Sequence, residues 1–547
     1  MQKIKTIVII IIGMLSLALG AAENMLPPPG NWQGSGSGTL TQGVDGNTAT
    51  LILKRFGATG KNCMGVAFSK ADKKKFYLMT GKVRALSENA SARASMLGRN
   101  EKGQWIFQWI APGIDSLKQQ EWISFSIRAY MPGEGKLEVA VEAVNGTVEF
   151  ANLELHEANW KDGRTADAPP MEYWINMDYG DNIYYSANLK LDGYGEPEII
   201  AFFEKCKAAG VFGVQWRVSA FGQMTYPSKG AATTYPGSAP FEKLNPQEQL
   251  VSKTLQKIDP LKIAVREAKK HGIKLYIWMT LSDEGFTHAK VDNFMVPDFL
   301  IKNPNCMLMD RNGKVLKGTI CYNEPAALEY RLNIVRELLA YGADGLYLCT
   351  RSHSTVFGKD RGDDYGFNPA IVAEYKKRYG VNILKEDFDV KKWRDIKSEG
   401  YDRLFSEISK LAKASGQKVR LGVSILTLCN NTFGANWGNT PVDWRKYLRM
   451  EWIDSILSGQ NKVEPFFASR EINRFREVAK PDQKIYFWGQ MCDYAGNAMF
   501  SQDYLLKQAE FFAFLGANGG VYHEAVNMEE DMAKYLFPLG EFYSKLK

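Results

Sequence analysis

The chain has 547 residues, of which 45% are hydrophobic and 24% charged, with a formal net charge of +7. This length exceeds one ordinary hydrophobic core and predicts two or three domains, and the hydrophobic content excludes a disordered chain. A charge this small on so long a chain excludes the concentrated basic footprint of a nucleic-acid binder, so no nucleic acid is expected as a partner.

Residues 1–22 read as an export signal. Lys3 and Lys5 precede the apolar run Ile7 to Leu19, and Gly20, Ala21 and Ala22 supply small residues for cleavage. The run falls short of the roughly 20 residues that span a bilayer. A secreted or periplasmic protein without stable membrane insertion is therefore expected. No Cys stands near the cleavage region to carry a lipid, and the seven cysteines are scattered without a CxxC pair. Reduced, buried thiols are expected for most of them.

Residues 23–158 show short alternating runs separated by turn residues, which predict an all-β sandwich. The runs include Ala49 to Lys54, Lys75 to Leu86, Gln104 to Ile110 and Glu121 to Tyr130. Two more, Leu137 to Val144 and Thr147 to Leu155, flank Asn145-Gly146 and predict a two-residue hairpin. Residues 159–170 are polar, end in Pro169-Pro170 and read as a linker.

From Met171 to Lys547 the rhythm changes. Amphipathic stretches run into a glycine and then into a short apolar strand, at Gly210, Gly272, Gly342, Gly416 and Gly516. A glycine closes a helix in the left-handed conformation, and a buried strand next makes a parallel βαβ unit. Eight such strands are counted, from Tyr173 to Asp178 through Gly520 to Glu524, which predicts a (β/α)8 TIM barrel. An open doubly wound sheet would share the alternation.

Barrel active sites form at the C-terminal ends of the strands. The carboxylates there are Asp178, Asp283, Glu284, Asp493 and Glu524, whereas Asp344 and Asp454 open their strands and are expected to be structural. Cleavage of a glycosidic bond needs one carboxyl group as acid and a second as base or nucleophile. Asp178, Asp283, Glu284 and Glu524 are the catalytic candidates, with Glu524 first because it ends the apolar run Gly519-Gly-Val-Tyr-His-Glu524. Trp174, Trp278, Trp488 and Tyr522 offer aromatic faces of the kind on which sugar rings stack. Asn176, Arg217, Arg351, His353, Asp493 and His523 would bind substrate. The cationic members of that set leave an acidic or sulfated glycan open as substrate. Three of the five histidines, His288, His353 and His523, fall at strand ends and raise a metal-dependent hydrolase as a rival. The ligand spacing of such an enzyme is missing, so neither metal nor cofactor is expected.

Asn303-Pro304, Asp310-Arg-Asn-Gly313, Cys321-Tyr-Asn-Glu-Pro325, Arg336-Glu-Leu-Leu339, Ala343-Asp-Gly-Leu-Tyr-Leu348 and Tyr365-Gly-Phe-Asn-Pro369 form a diffuse pattern over Met171 to Tyr543. In this pattern the chain resembles the uncharacterised family-10-like glycosyl hydrolases. The resemblance implies a TIM barrel and a secreted hydrolase that cleaves O-glycosidic bonds of a poly- or oligosaccharide. Barrels of the wider group commonly carry an acidic residue just after the Asp-Gly of strand four, where this chain has Cys349-Thr-Arg-Ser-His353. That departure keeps a non-catalytic glycan-binding barrel in play. Phe150-Ala-Asn-Leu-Glu-Leu155 is similar to the closing strand of jelly-roll carbohydrate-binding modules, which implies such a module at the N-terminus.

Overall fold

A computed structural model describes residues 24–56, 62–111, 114, 117–131, 133–164, 168–180, 183, 193–220, 222–281, 284–285, 296–350, 359–423, 439–458, 472–476, 478–491, 500–523 and 532–546. The chain divides into two compact units, one up to Thr165 and one from Ala166.

The first unit is all-β. Strands β1 (Gln33–Ser35), β4 (Cys63–Ala71), β9 (Gly135–Asn145), β6 (Ser91–Asn100) and β7 (Trp105–Ile110) form one sheet in that spatial order. The second sheet runs β2 (Gly38–Asp45), β3 (Thr48–Arg55), β10 (Thr147–Ala158), β5 (Lys75–Ala85) and β8 (Ile123–Met131). Fully buried Leu53, Met79, Val83, Val139, Val141 and Phe150 supply the core.

The hairpin expected at Asn145-Gly146 is not made. Gly146 adopts a φ of 65°, as its turn requires, but Asn145 pairs with Ser91 while Thr147 pairs with Lys54 in the other sheet. Each of the two strands is the centre of its own sheet: β9 lies between β4 and β6, and β10 between β3 and β5. With both edges occupied, neither strand has a free edge for the other, and the turn passes the chain between sheets.

The second unit is a closed barrel of eight parallel strands. In order these are Glu172–Met177, Gly213–Arg217, Lys274–Thr280, Gly345–Cys349, Lys418–Val423, Ser455–Ser458, Lys484–Gln490 and Gly519–His523, called strands one to eight below. Strand eight closes on strand one, Tyr522 pairing with Ile175. The five glycines that punctuate the sequence, Gly210, Gly272, Gly342, Gly416 and Gly516, all hold φ between 67° and 71°, where a side chain would be strained. Asp344 and Asp454 peg the strand starts: their carboxylates accept the backbone N–H groups of Leu275 and Val419 at 3.0 and 2.8 Å. Asn518 does the same for Ile485 at 2.9 Å.

Inside, side chains stack in layers drawn from alternate strands. The lowest contains Trp174, Tyr276, Arg420 and Tyr486 from strands one, three, five and seven. The Arg420 guanidinium lies 4.2, 4.7 and 3.9 Å from the centroids of those three rings, a box of cation–π contacts. Glu172 accepts from Trp174 Nε1 at 2.8 Å and from the Tyr486 hydroxyl at 2.6 Å. Burial pushes the phenol of Tyr276 up to about 12, against the opposing charge of Arg420.

Candidate functional site

Strand geometry decides which residues reach the barrel mouth, because successive side chains alternate between faces. Counting upward in twos from the Arg420 box gives Asn176 and Asp178 on strand one, Trp278 and Thr280 on strand three, and Trp488 and Gln490 on strand seven. Contacts across strands fix the even-numbered strands. Arg217 pairs with Asp178, His523 packs 4.5 Å from Trp488 and 6.1 Å from Trp278, and Trp278 lies 5.7 Å from Tyr347.

At the top, then, Asp178 and Arg217 form an ion pair at 3% and 8% exposure, so the charges reinforce each other with little water between them. The Arg217 Nε also donates to the Ser219 carbonyl at 2.7 Å, and its guanidinium lies over Trp278 at 5.2 Å. The Ser219 and Thr280 hydroxyls are 3.1 Å apart. Trp488 Nε1 donates to the side chain of Gln490 at 3.1 Å, and Gln508 brackets the Gln490 backbone with two bonds. Cys349 ends strand four on the inner face, and the adjacent Thr350 hydroxyl donates to Gly422 at 2.7 Å.

The arrangement gathers Asn176, Asp178, Arg217, Trp278, Trp488 and His523 from the sequence candidates. Three others are engaged differently. Tyr522 follows the outward parity of Ile175: it is fully buried against Tyr173 and Tyr543, its hydroxyl 3.1 Å from that of Tyr543, on the side of the C-terminal helix Met532–Ser544. His523 faces the mouth, so its immediate neighbour in the strand cannot. Trp174 faces inward but two layers down, in the Arg420 box. Glu284, four residues past the end of strand three, is fully buried in an ion pair with Arg331.

Around that pair, Arg331 Nε donates to the Tyr322 hydroxyl at 3.0 Å, and the Tyr322 hydroxyl donates to the Leu281 carbonyl. Burial lowers the Arg331 guanidinium to about 10. Asp283, Arg351, His353, Asp493 and Glu524, with His288, lie outside the described residues. Among the described residues no group of three or more His, Cys, Asp or Glu side chains could hold a metal ion.

Sequence reasoning missed Gln215. It stands two residues before Arg217 on strand two, hence on the same inner face, and is fully buried. The signal was a polar residue inside an apolar strand, Gly-Val-Gln-Trp-Arg.

No family model matches the chain, and no curated protein does. Among solved structures, it is similar to the glycoside hydrolase domain of PgaB from Bordetella bronchiseptica, at 14% identity over 67% of this chain and 98% of that one, with a TM-score of 0.43. The catalytic domain of a β-amylase from Paenibacillus polymyxa matches at 9% identity over 70% and 100%, with a TM-score of 0.44. A ruminal GH26 endo-β-1,4-mannanase matches at 11% identity over 87% of each chain, with a TM-score of 0.39.

Proposed function

We propose that this chain is an exported glycoside hydrolase whose active site is the mouth of the barrel. The observation that carries the reading is the cluster of Asp178, Arg217, Trp278, Trp488 and His523 at the C-terminal ends of five strand positions. Indole faces match the apolar C–H face of a sugar ring, and the ion pair and imidazole supply directed hydrogen bonds to its hydroxyls. In this reading Glu524, directly after inward-facing His523, and Asp178 or Asp283 form the carboxyl pair. One protonates the departing glycosidic oxygen as the C–O bond breaks, and the other attacks the anomeric carbon or activates the water that does. Arg351, His353 and Asp493 would complete the substrate contacts. The boundaries proposed are a signal over residues 1–22, a glycan-binding sandwich over 23–158, a linker over 159–170 and the catalytic barrel over 171–547.

The purified protein should release soluble sugars from at least one member of a panel of poly- and oligosaccharides, read by chromatography. Glu524→Gln should lower that turnover at least about 100-fold, the order expected for a lost general acid or base. Undiminished turnover in the variant removes Glu524 from the mechanism. A second reading, a barrel that binds glycan without cleaving it, is favoured by Cys349 at the inner end of strand four, where a carboxylate is absent among the described residues. Tight binding of a glycan that is never cleaved would select it.

A further inference from the structure

Directly beneath the ion pair of the mouth, Asn176 and Gln215 face inward on strands one and two. They are partners in register, each two residues before Asp178 and Arg217. Both are fully buried, and neither carboxamide oxygen nor nitrogen of either residue has a hydrogen-bond partner among the described residues. Trp278 Nε1, on the adjacent strand three, is likewise buried without a partner. Each such group left unmade costs about 1–3 kcal/mol. Leucine and methionine have the shapes of these two side chains and none of that cost, so the fold alone gives no reason for two amides here.

We infer that Asn176 and Gln215 form a neutral polar corner of the mouth that hydrogen-bonds an uncharged substituent, a hydroxyl or an acetamido group, of the bound saccharide. The inference rests on the mouth being a saccharide site. Carboxamides both donate and accept, as do hydroxyl and acetamido groups. Two cations flank the corner: Arg217 above is already bonded to the Asp178 carboxylate and the Ser219 carbonyl, and Arg420 one layer below is enclosed by the rings of Trp174, Tyr276 and Tyr486. A sulfate or carboxylate entering the corner would face the Asp178 charge without a compensating cation from that pair. The corner therefore selects neutral sugars over acidic ones.

The test uses the full chain and two variants, Asn176→Leu with Gln215→Met, and Asn176→Ala alone as the smaller change. Affinities are measured by calorimetric titration with cello-, xylo-, manno- and chito-hexaose and with oligogalacturonate and a sulfated galactan oligosaccharide. Thermal midpoints of the free proteins are recorded in parallel. The wild type should bind a neutral oligosaccharide at least tenfold more tightly than either acidic one, with the chito-hexaose arm separating an acetamido from a hydroxyl ligand. The double variant should melt no lower than wild type and bind that oligosaccharide at least tenfold more weakly, and Asn176→Ala should weaken it in the same direction. Four results overturn the inference: preference for an acidic ligand, no binding to any neutral one, unchanged affinity in both variants, or a double variant that melts several degrees lower, which would mark the amides as partners of internal water only. Binding without cleavage in the wild type would defeat the hydrolase reading and leave this corner standing.

Discussion

Lys397 lies on the helix Val390–Ala414 at 2% exposure, its ammonium 4.1 Å from the centroid of the Trp393 ring and donating to the Tyr365 carbonyl at 3.1 Å. Burial lowers it from 10.5 to about 7, opposed by the attraction of Asp363 and, more weakly, of Cys321, and assisted by the repulsion of Arg394. Its folded value is thus depressed, and between about 7 and 10.5 the unfolded chain holds a proton that the folded chain does not. Stability must rise with pH across that window and be insensitive to this group below it. At about 1.4 kcal/mol per unit, raising the pH from about 7 to about 9.5 adds roughly 3 kcal/mol from this side chain alone. In a unit the size of the barrel that corresponds to about 4 °C. Lys397→Met, which keeps the stem and removes the titration, isolates the effect. Calorimetric midpoints of wild type and variant should differ most near neutral pH, with the variant ahead, and converge by about 4 °C toward pH 9.5. Parallel curves over that range would show that Lys397 titrates as it does in water, and the burial argument would fail.

Glu284→Gln should lower the midpoint of the barrel by several degrees, because Arg331 is fully buried and removing its counter-charge costs about 3–5 kcal/mol. If Glu284 acted on substrate, turnover would fall with the midpoint unchanged, and that result would return it to the mouth. Tyr522→Phe should leave any glycan turnover and affinity unaltered and cost only about 1 kcal/mol, the hydroxyl contact to Tyr543, measured as a small loss in midpoint. A tenfold loss of affinity in this variant would place the ring at the mouth after all.

The barrel was legible because helix ends carry a chemical mark. All five glycines singled out adopt the left-handed conformation that closes a helix, and the apolar runs after them leave little choice but buried parallel strands. The sandwich was less legible. Strands β4 (Cys-Met-Gly-Val-Ala-Phe-Ser-Lys-Ala) and β6 (Ser-Ala-Arg-Ala-Ser-Met-Leu-Gly-Arg-Asn) carry their inward positions largely on Ala, Gly, Cys and Ser, which weakens the alternation that reveals a strand. At Asn145-Gly146 the turn chemistry was read correctly and the pairing was not. A turn is decided by two residues, whereas a strand's partners are decided by strands up to about a hundred residues away, Thr147 meeting Lys54 among them.

The site obeys the same division. Position at a strand end is readable from sequence, and so is parity once one inward residue is known: with His523 facing the mouth, Tyr522 must face the helices, and with Asp178 facing it, Asn176 must too. Depth is not readable, since Trp174 shares that parity and ends up in the Arg420 box two layers below. Nor does parity extend past the strand. Glu284 stands only four residues beyond Thr280, yet its carboxylate is taken up by Arg331, which comes from a helix 47 residues on. What identifies the mouth is therefore not any single acidic residue but the coincidence of parity and height on adjacent strands. Asp178 and Arg217 satisfy it across 39 residues of sequence, and Asn176 and Gln215 repeat it one step lower. Charge is matched in the upper pair, whereas in the lower pair neither carboxamide has a hydrogen-bond partner among the described residues.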